Sequence, residues 1–138
     1  MPALHANGIN IHYRRATTGD ASARGLPLVF VNALGTDLRL WDGVVDALPA
    51  GRDIVCYDKR GHGLTDAMAP PYTMDDHADD LDALLHALAI ERAIVCGISV
   101  GGMIAMTQAL QRPERVAGLV LMDTAARIRT AEAWEERI

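Results

Sequence analysis

The sequence predicts an α/β fold with a mostly parallel sheet and an antiparallel hairpin at its N-terminus. Three observations predict it: short apolar runs alternate with helical periodicities, Asn7-Gly8 joins two β-like runs, and Gly97-Ile98-Ser99-Val100-Gly101 lies between an apolar run and a helix. Strands that alternate with helices imply right-handed crossovers and a parallel sheet. The 138 residues fit a single domain over positions 1–138.

In order along the chain, Leu4 to Ala6 and Ile9 to Arg14 form the hairpin, because Asn-Gly supplies the positive φ angles of a two-residue turn. Residues 15–26 are polar and read as a loop. Leu28-Val29-Phe30-Val31 is continuously apolar, as a strand buried on both faces must be. A loop over Asn32 to Asp37 leads to a helix from Leu38 to Leu48, stopped by Pro49 and Gly51. Asp53 to Tyr57 is the next strand, followed by a glycine-rich turn, Asp58-Lys59-Arg60-Gly61-His62-Gly63.

Thr73 offers an N-cap with Asp76 as its capping-box partner, and Met74, Ala78, Leu81, Leu84, Leu85 and Leu88 follow at helical spacing. On this helix Asp79, Asp80 and Asp82 read as the solvated face. Ala93 to Cys96 is a strand, Gly102 to Gln111 a helix closed by Pro113, and Val116 to Met122 a last strand. Residues 130–137 begin another helix. An apolar strand left at a sheet edge invites pairing with a second chain, so self-association through Val116 to Met122 is expected.

Composition excludes several function classes. Half the residues are hydrophobic and 22% are charged, as in an ordinary globular core. A net charge of −5 with no basic cluster argues against nucleic acid and against an anionic membrane surface. No apolar run approaches the roughly 18 residues of a membrane span. No charged segment leads into an apolar one near Met1, so a cytoplasmic location is expected. Cys56 and Cys96, at the ends of apolar runs, read as small buried hydrophobes. The chain has neither metal-ligand spacing nor a phosphate-binding glycine loop.

The segment that carries chemistry runs from Ile94 to Gly102. A serine at a sharp strand-to-helix turn takes a strained backbone that pushes its hydroxyl outward, and glycines two residues to either side remove Cβ atoms that would collide. The turn puts Ser99 at a helix N-terminus, where the N–H of Val100 points at the oxygen that gains charge in a tetrahedral intermediate. Ser99 is therefore the candidate nucleophile, and Val100 a candidate oxyanion donor.

These residues resemble the α/β-hydrolases, and within them the 3-oxoadipate enol-lactonases. The matching stretches are Val31 to Asp42, Tyr57 to Gly63, Pro71 to Met74, Gly97 to Ile104 and Asp123 to Ile128, and the resemblance extends over essentially the whole chain, from the first hairpin to the strand ending at Met122. The Gly-His-Gly turn and the serine elbow belong to the wider superfamily. Asn32-Ala33-Leu34-Gly35-Thr36-Asp37 and Thr124-Ala125-Ala126-Arg127-Ile128 are more particular to the lactonases.

The resemblance implies Leu34 as the second oxyanion donor; many relatives have His-Gly where this chain has Asn32-Ala33, but the contact is a backbone N–H. It implies that His62 shapes a loop and is not the base. Arg127 is a candidate contact for a carboxylate-bearing substrate, and Trp41 a candidate for the pocket wall or for packing of the first helix. Asp123 stands where some relatives carry the triad acid, and otherwise reads as a loop cap. No cofactor is implied, and the partner is a small-molecule lactone or ester.

Family members are about twice as long, with a helical cap, two further strands, an acid and a histidine following the serine in the order Ser, Asp or Glu, His. All five histidines here precede Ser99. A serine without its base is a poor nucleophile at neutral pH, so the chain by itself is expected to be inactive. The alternatives are a general carboxylesterase on the same fold and a non-catalytic fragment.

Overall fold

A computed structural model describes residues 2–19 and 25–127; the helix expected over 130–137 lies outside them. The elements in order are β1 (Ala3–Ala6), β2 (Ile9–Thr17), β3 (Leu28–Val31), a 3-10 turn (Leu38–Trp41), α1 (Asp42–Ala47), β4 (Asp53–Tyr57), α2 (Met74–Ala87), β5 (Ala93–Ile98), α3 (Val100–Gln111), a 3-10 turn (Pro113–Arg115) and β6 (Val116–Met122). The strands form one sheet in the order β1-β2-β4-β3-β5-β6. β1 and β2, and β2 and β4, are antiparallel; β4, β3, β5 and β6 are mutually parallel. This is the α/β architecture with an N-terminal hairpin that the sequence predicts.

The pleat divides the core in two. Val29, Val31, Val55, Tyr57 and Val95 face α2 and α3, where Leu81, Leu84, Leu85 and Ile104 close over them. Phe30, Ile54, Cys56 and Cys96 face the other way, under Leu38 and Trp41 of the first 3-10 turn. Phe30 stands opposite both Cys56 and Cys96 in the two ladders, so the cysteines flank it one strand to each side. Both thiols are unpaired, and burial pushes them up to about 11, which leaves them inert hydrophobes.

Three differences from expectation bear on the packing. β2 runs on to Thr17, because its ladder with β4 extends to Thr17 opposite Asp53 and the Arg15 guanidinium grips the Asp53 carboxylate at 2.7 and 3.1 Å. The helix expected from Leu38 to Leu48 is a 3-10 turn followed by the short α1. Its start is pinned from two sides: Asp37 Oδ1 accepts the N–H of Arg39 at 2.9 Å, and Asp58 Oδ1 accepts the N–H of Leu38 at 2.7 Å.

The third correction concerns Asp80, which does not lie on a wet face. It is 2% exposed and receives the Arg60 guanidinium at 2.6 and 2.7 Å and the Asn7 amide at 2.7 Å. Asp79 and Asp82 do lie toward solvent, paired with Arg112 and Arg115. The capping box of α2 forms as predicted, with Thr73 Oγ1 accepting from Asp76 N at 3.1 Å and Asp76 Oδ2 accepting from Thr73 N at 2.7 Å.

Among the described residues β6 is an outer strand of the sheet, and Leu119, Val120 and Leu121 are 38%, 45% and 42% exposed. Among them no helix is long and apolar enough to cross a membrane.

Candidate active site

β3 and β5 are parallel neighbours with Val31 opposite Gly97, so their C-terminal ends open onto the same rim of the sheet. Ser99 follows β5 directly, with φ 54° and ψ −122°. A side chain rarely adopts that left-handed region, and such strain gathers at functional turns. The geometry around it enforces the conformation. The Ser99 N–H still donates to Met122 O at 3.0 Å in the manner of the sheet, while its carbonyl already accepts Gly102 N at 3.0 Å and Met103 N at 3.4 Å in the manner of a helix.

The flanking glycines have a steric reason. A Cβ on Gly97 would lie 2.2 Å from Gly101 O, and one on Gly101 would lie 2.1 Å from Val31 O and 2.9 Å from Asn32 O. The second contact also fixes where the elbow sits: the first turn of α3 is pressed against the start of the Asn32–Asp37 loop that carries Leu34. Val100 is the first residue of α3, so its N–H is among those without an intrahelical acceptor, at the positive end of the helix dipole. The helix begins two residues earlier than expected because the Ser99 carbonyl starts the winding.

Leu34 occupies an exposed loop tip, with Gly35 after it at φ 71°. The loop beneath is tightly tied. Ala33 O accepts Thr36 Oγ1 at 2.9 Å, Thr36 N at 3.4 Å and the Lys59 ammonium at 2.8 Å, and the buried Asn32 side-chain amide donates to Thr36 O. The glycine-rich turn after β4 is organised by the buried Asp58, whose Oδ1 accepts Leu38 N and whose Oδ2 accepts His12 Nδ1 at 2.7 Å and Leu64 N at 3.1 Å.

Of the remaining sequence candidates, Trp41 lies in the core, 3% exposed, with its ring 4.7 Å from that of Phe30, and packs the first turn. Arg127 is exposed on the segment after β6. Asp123 is exposed and takes a positive φ of 41°. His62 is half-buried and its ring nitrogen Nδ1 faces Arg60 O at 3.1 Å; burial lowers its pKa.

Sequence reasoning missed two contributors. Thr124 Oγ1 donates to Ser99 O at 2.6 Å, tying the segment after β6 to the elbow. Lys59, 1% exposed, reaches the Asn32–Asp37 loop at Ala33 O, with burial lowering its pKa to about 8. The signal for Thr124 is its place in the lactonase-like segment; a lysine inside a glycine-rich turn carries no such mark.

Comparison with known proteins places this arrangement. Residues 27–137 match the family model described as alpha/beta hydrolase fold. The chain is 36% identical to 3-oxoadipate enol-lactonase 2 of Acinetobacter baylyi over 99% of its own length and 52% of that relative. The crystal structure of the enol-lactonase from Burkholderia xenovorans LB400 superposes with a TM-score of 0.90 at 37% identity, covering 99% of this chain and 52% of that one. A thermophilic esterase from Thermogutta terrifontis superposes with a TM-score of 0.81 at 30% identity, covering 94% of this chain and 46% of the esterase. The chain thus spans about half the length of the relatives it matches. Fold, elbow and family match agree, and the chain belongs to the alpha/beta hydrolase fold family.

Proposed function

We propose that this chain carries the nucleophile and the oxyanion hole of a serine hydrolase whose substrate is 3-oxoadipate enol-lactone, cleaved to 3-oxoadipate in aromatic catabolism. The observation that carries the reading is the left-handed backbone of Ser99 at the junction of β5 and α3. Ser99 Oγ adds to the lactone carbonyl, and the N–H groups of Val100 and Leu34 hold the resulting oxyanion. Collapse expels the ring oxygen as an enol, which tautomerises to the ketone, and water then hydrolyses the acyl-serine. A histidine takes the proton of Oγ and gives it to the departing enol oxygen, then takes a proton from the water that attacks the acyl-serine and returns it to Oγ. No histidine follows Ser99 in this sequence, so the base is not assigned to a residue of this chain. The similarity to enol-lactonases supports the choice of substrate.

A second reading keeps Ser99 and replaces the lactone by simple carboxylic esters; the likeness to the Thermogutta esterase favours it. Assay of the protein on the enol-lactone and on p-nitrophenyl esters separates the two. The lactonase reading expects the higher kcat/KM on the lactone and a loss of about 10⁴-fold or more on both for Ser99→Ala. A preference for simple esters overturns the lactone, and retention of activity by Ser99→Ala overturns the serine mechanism.

A further inference from the structure

We propose that Lys59 is a positioning residue of the oxyanion hole, its ammonium orienting and polarising the Ala33–Leu34 peptide so that the Leu34 N–H faces the reacting oxygen. The inference rests on the assignment of Leu34 as an oxyanion donor and adds to it the group that holds that donor in place.

A peptide unit is planar and trans, so the Ala33 carbonyl and the Leu34 N–H are opposite ends of one rigid dipole. Whatever grips the carbonyl aims the N–H. The Lys59 Nζ lies 2.8 Å from Ala33 O, on a side chain 1% exposed. Thr36 Oγ1 and Thr36 N reach the same oxygen, which closes the loop into a tight turn. A charged donor on a carbonyl draws electron density from the whole amide and makes its N–H a stronger donor; buried surroundings enhance the effect. The Leu34 side chain is 57% exposed, so packing holds the loop tip weakly and the grip on the carbonyl sets its direction.

A buried lysine is costly unless its charge is used. Burial lowers the Lys59 pKa to about 8, with Asp58 beside it favouring the ammonium. Lys59 in turn disfavours the charged forms of two histidines, His62 on the following turn and His77 from α2. Burial lowers both histidines, His77 to about 4, so both are neutral where Lys59 titrates. The ammonium is therefore present at neutral pH and is lost as pH rises through about 8, and the polarisation of the Leu34 N–H goes with it.

The test follows the amide itself by NMR on the full chain labelled with ¹³C and ¹⁵N. The Leu34 ¹⁵N, the Ala33 carbonyl ¹³C and the Lys59 ¹³Cε are expected to titrate with one shared midpoint near 8, while the step vanishes in Lys59→Met and in the permanently charged Lys59→Arg. A Leu34 ¹⁵N that stays flat while Lys59 titrates overturns the inference. In hydrolysis, Lys59→Met is expected to lower kcat by about tenfold with KM held, short of the ~10²–10³ for losing a donor outright. Lys59→Arg is expected to abolish any fall in kcat on the alkaline side of pH 8, and an unchanged kcat in Lys59→Met counts against the proposal. The amide titration needs no turnover, so it decides whether Lys59 governs the Leu34 peptide even where the chain cleaves neither lactone nor ester.

Discussion

The serine elbow and the turn after β4 lie at the same rim of the sheet and are held by opposite means. At the elbow, shape decides: Gly97 and Gly101 sit where a Cβ would strike backbone, and main-chain bonds satisfy the Ser99 amide and carbonyl. At the turn, buried charge decides. Asp58, Lys59 and Arg60 are all buried in succession, and each meets a partner from a distant part of the chain: His12 and Leu38, Ala33, and Asp80. A steric demand is written locally, as a short string of small residues. A demand for a partner to a buried charge is written wherever in the chain that partner happens to be.

The contrast predicts unequal costs, and the largest falls at the turn. Asp58→Ala removes the acceptor for the N–H groups of Leu38 and Leu64 and for His12 Nδ1, at a carboxylate whose residue is 1% exposed. Breaking a buried charged network by removing one member costs about 3–5 kcal/mol, which urea unfolding reads as a lower midpoint at unchanged m. A loss under about 1 kcal/mol would mean that the turn is held by its backbone and not by the carboxylate.

At the elbow the cost comes from overpacking. Gly101→Ala places a methyl against Val31 O and Asn32 O and forces the loop bearing Leu34 away from α3. Such intrusions cost about 1–3 kcal/mol, and here the displaced loop also carries the proposed oxyanion donor. The control is Gly43→Ala in α1, where a Cβ meets nothing within 4 Å; there the helix preference for Ala over Gly is expected to leave stability unchanged or raised by up to about 1 kcal/mol. Equal unfolding midpoints for the two variants would remove the steric argument for the motif.

This difference also explains what was legible in the sequence. The strands, the hairpin, the α2 capping box and the serine elbow could be read because each follows from a period or a contiguous motif. Asp80 was misread because its helical position is indistinguishable from that of Asp79 until Arg60 and Asn7 are brought to it from elsewhere in the chain. Trp41 reads equally as pocket wall or packing because an aromatic residue at the head of a helix serves either, and its contact with Phe30 comes from a strand the local sequence does not name. Lys59 is silent in the sequence because nothing in its neighbours along the chain announces that Ala33 O will lie 2.8 Å from its ammonium.

The smallest effect is the most discriminating. Thr124→Val deletes the hydroxyl that donates to Ser99 O at 2.6 Å but keeps the branched shape packed against Gly102. Because Gly102 N and Met103 N still bond that carbonyl, no acceptor is orphaned, and the loss is expected to be about 0.5–1.5 kcal/mol, the net worth of one hydrogen bond. Hydrogen exchange at the Gly102 amide should quicken only in step with that global change, since the elbow retains its glycines and its ladder bond to Met122. Were the exchange to accelerate far beyond the global loss, the Thr124 hydroxyl would be holding the elbow shut, and the elbow would depend, like the turn after β4, on a partner from a distant segment.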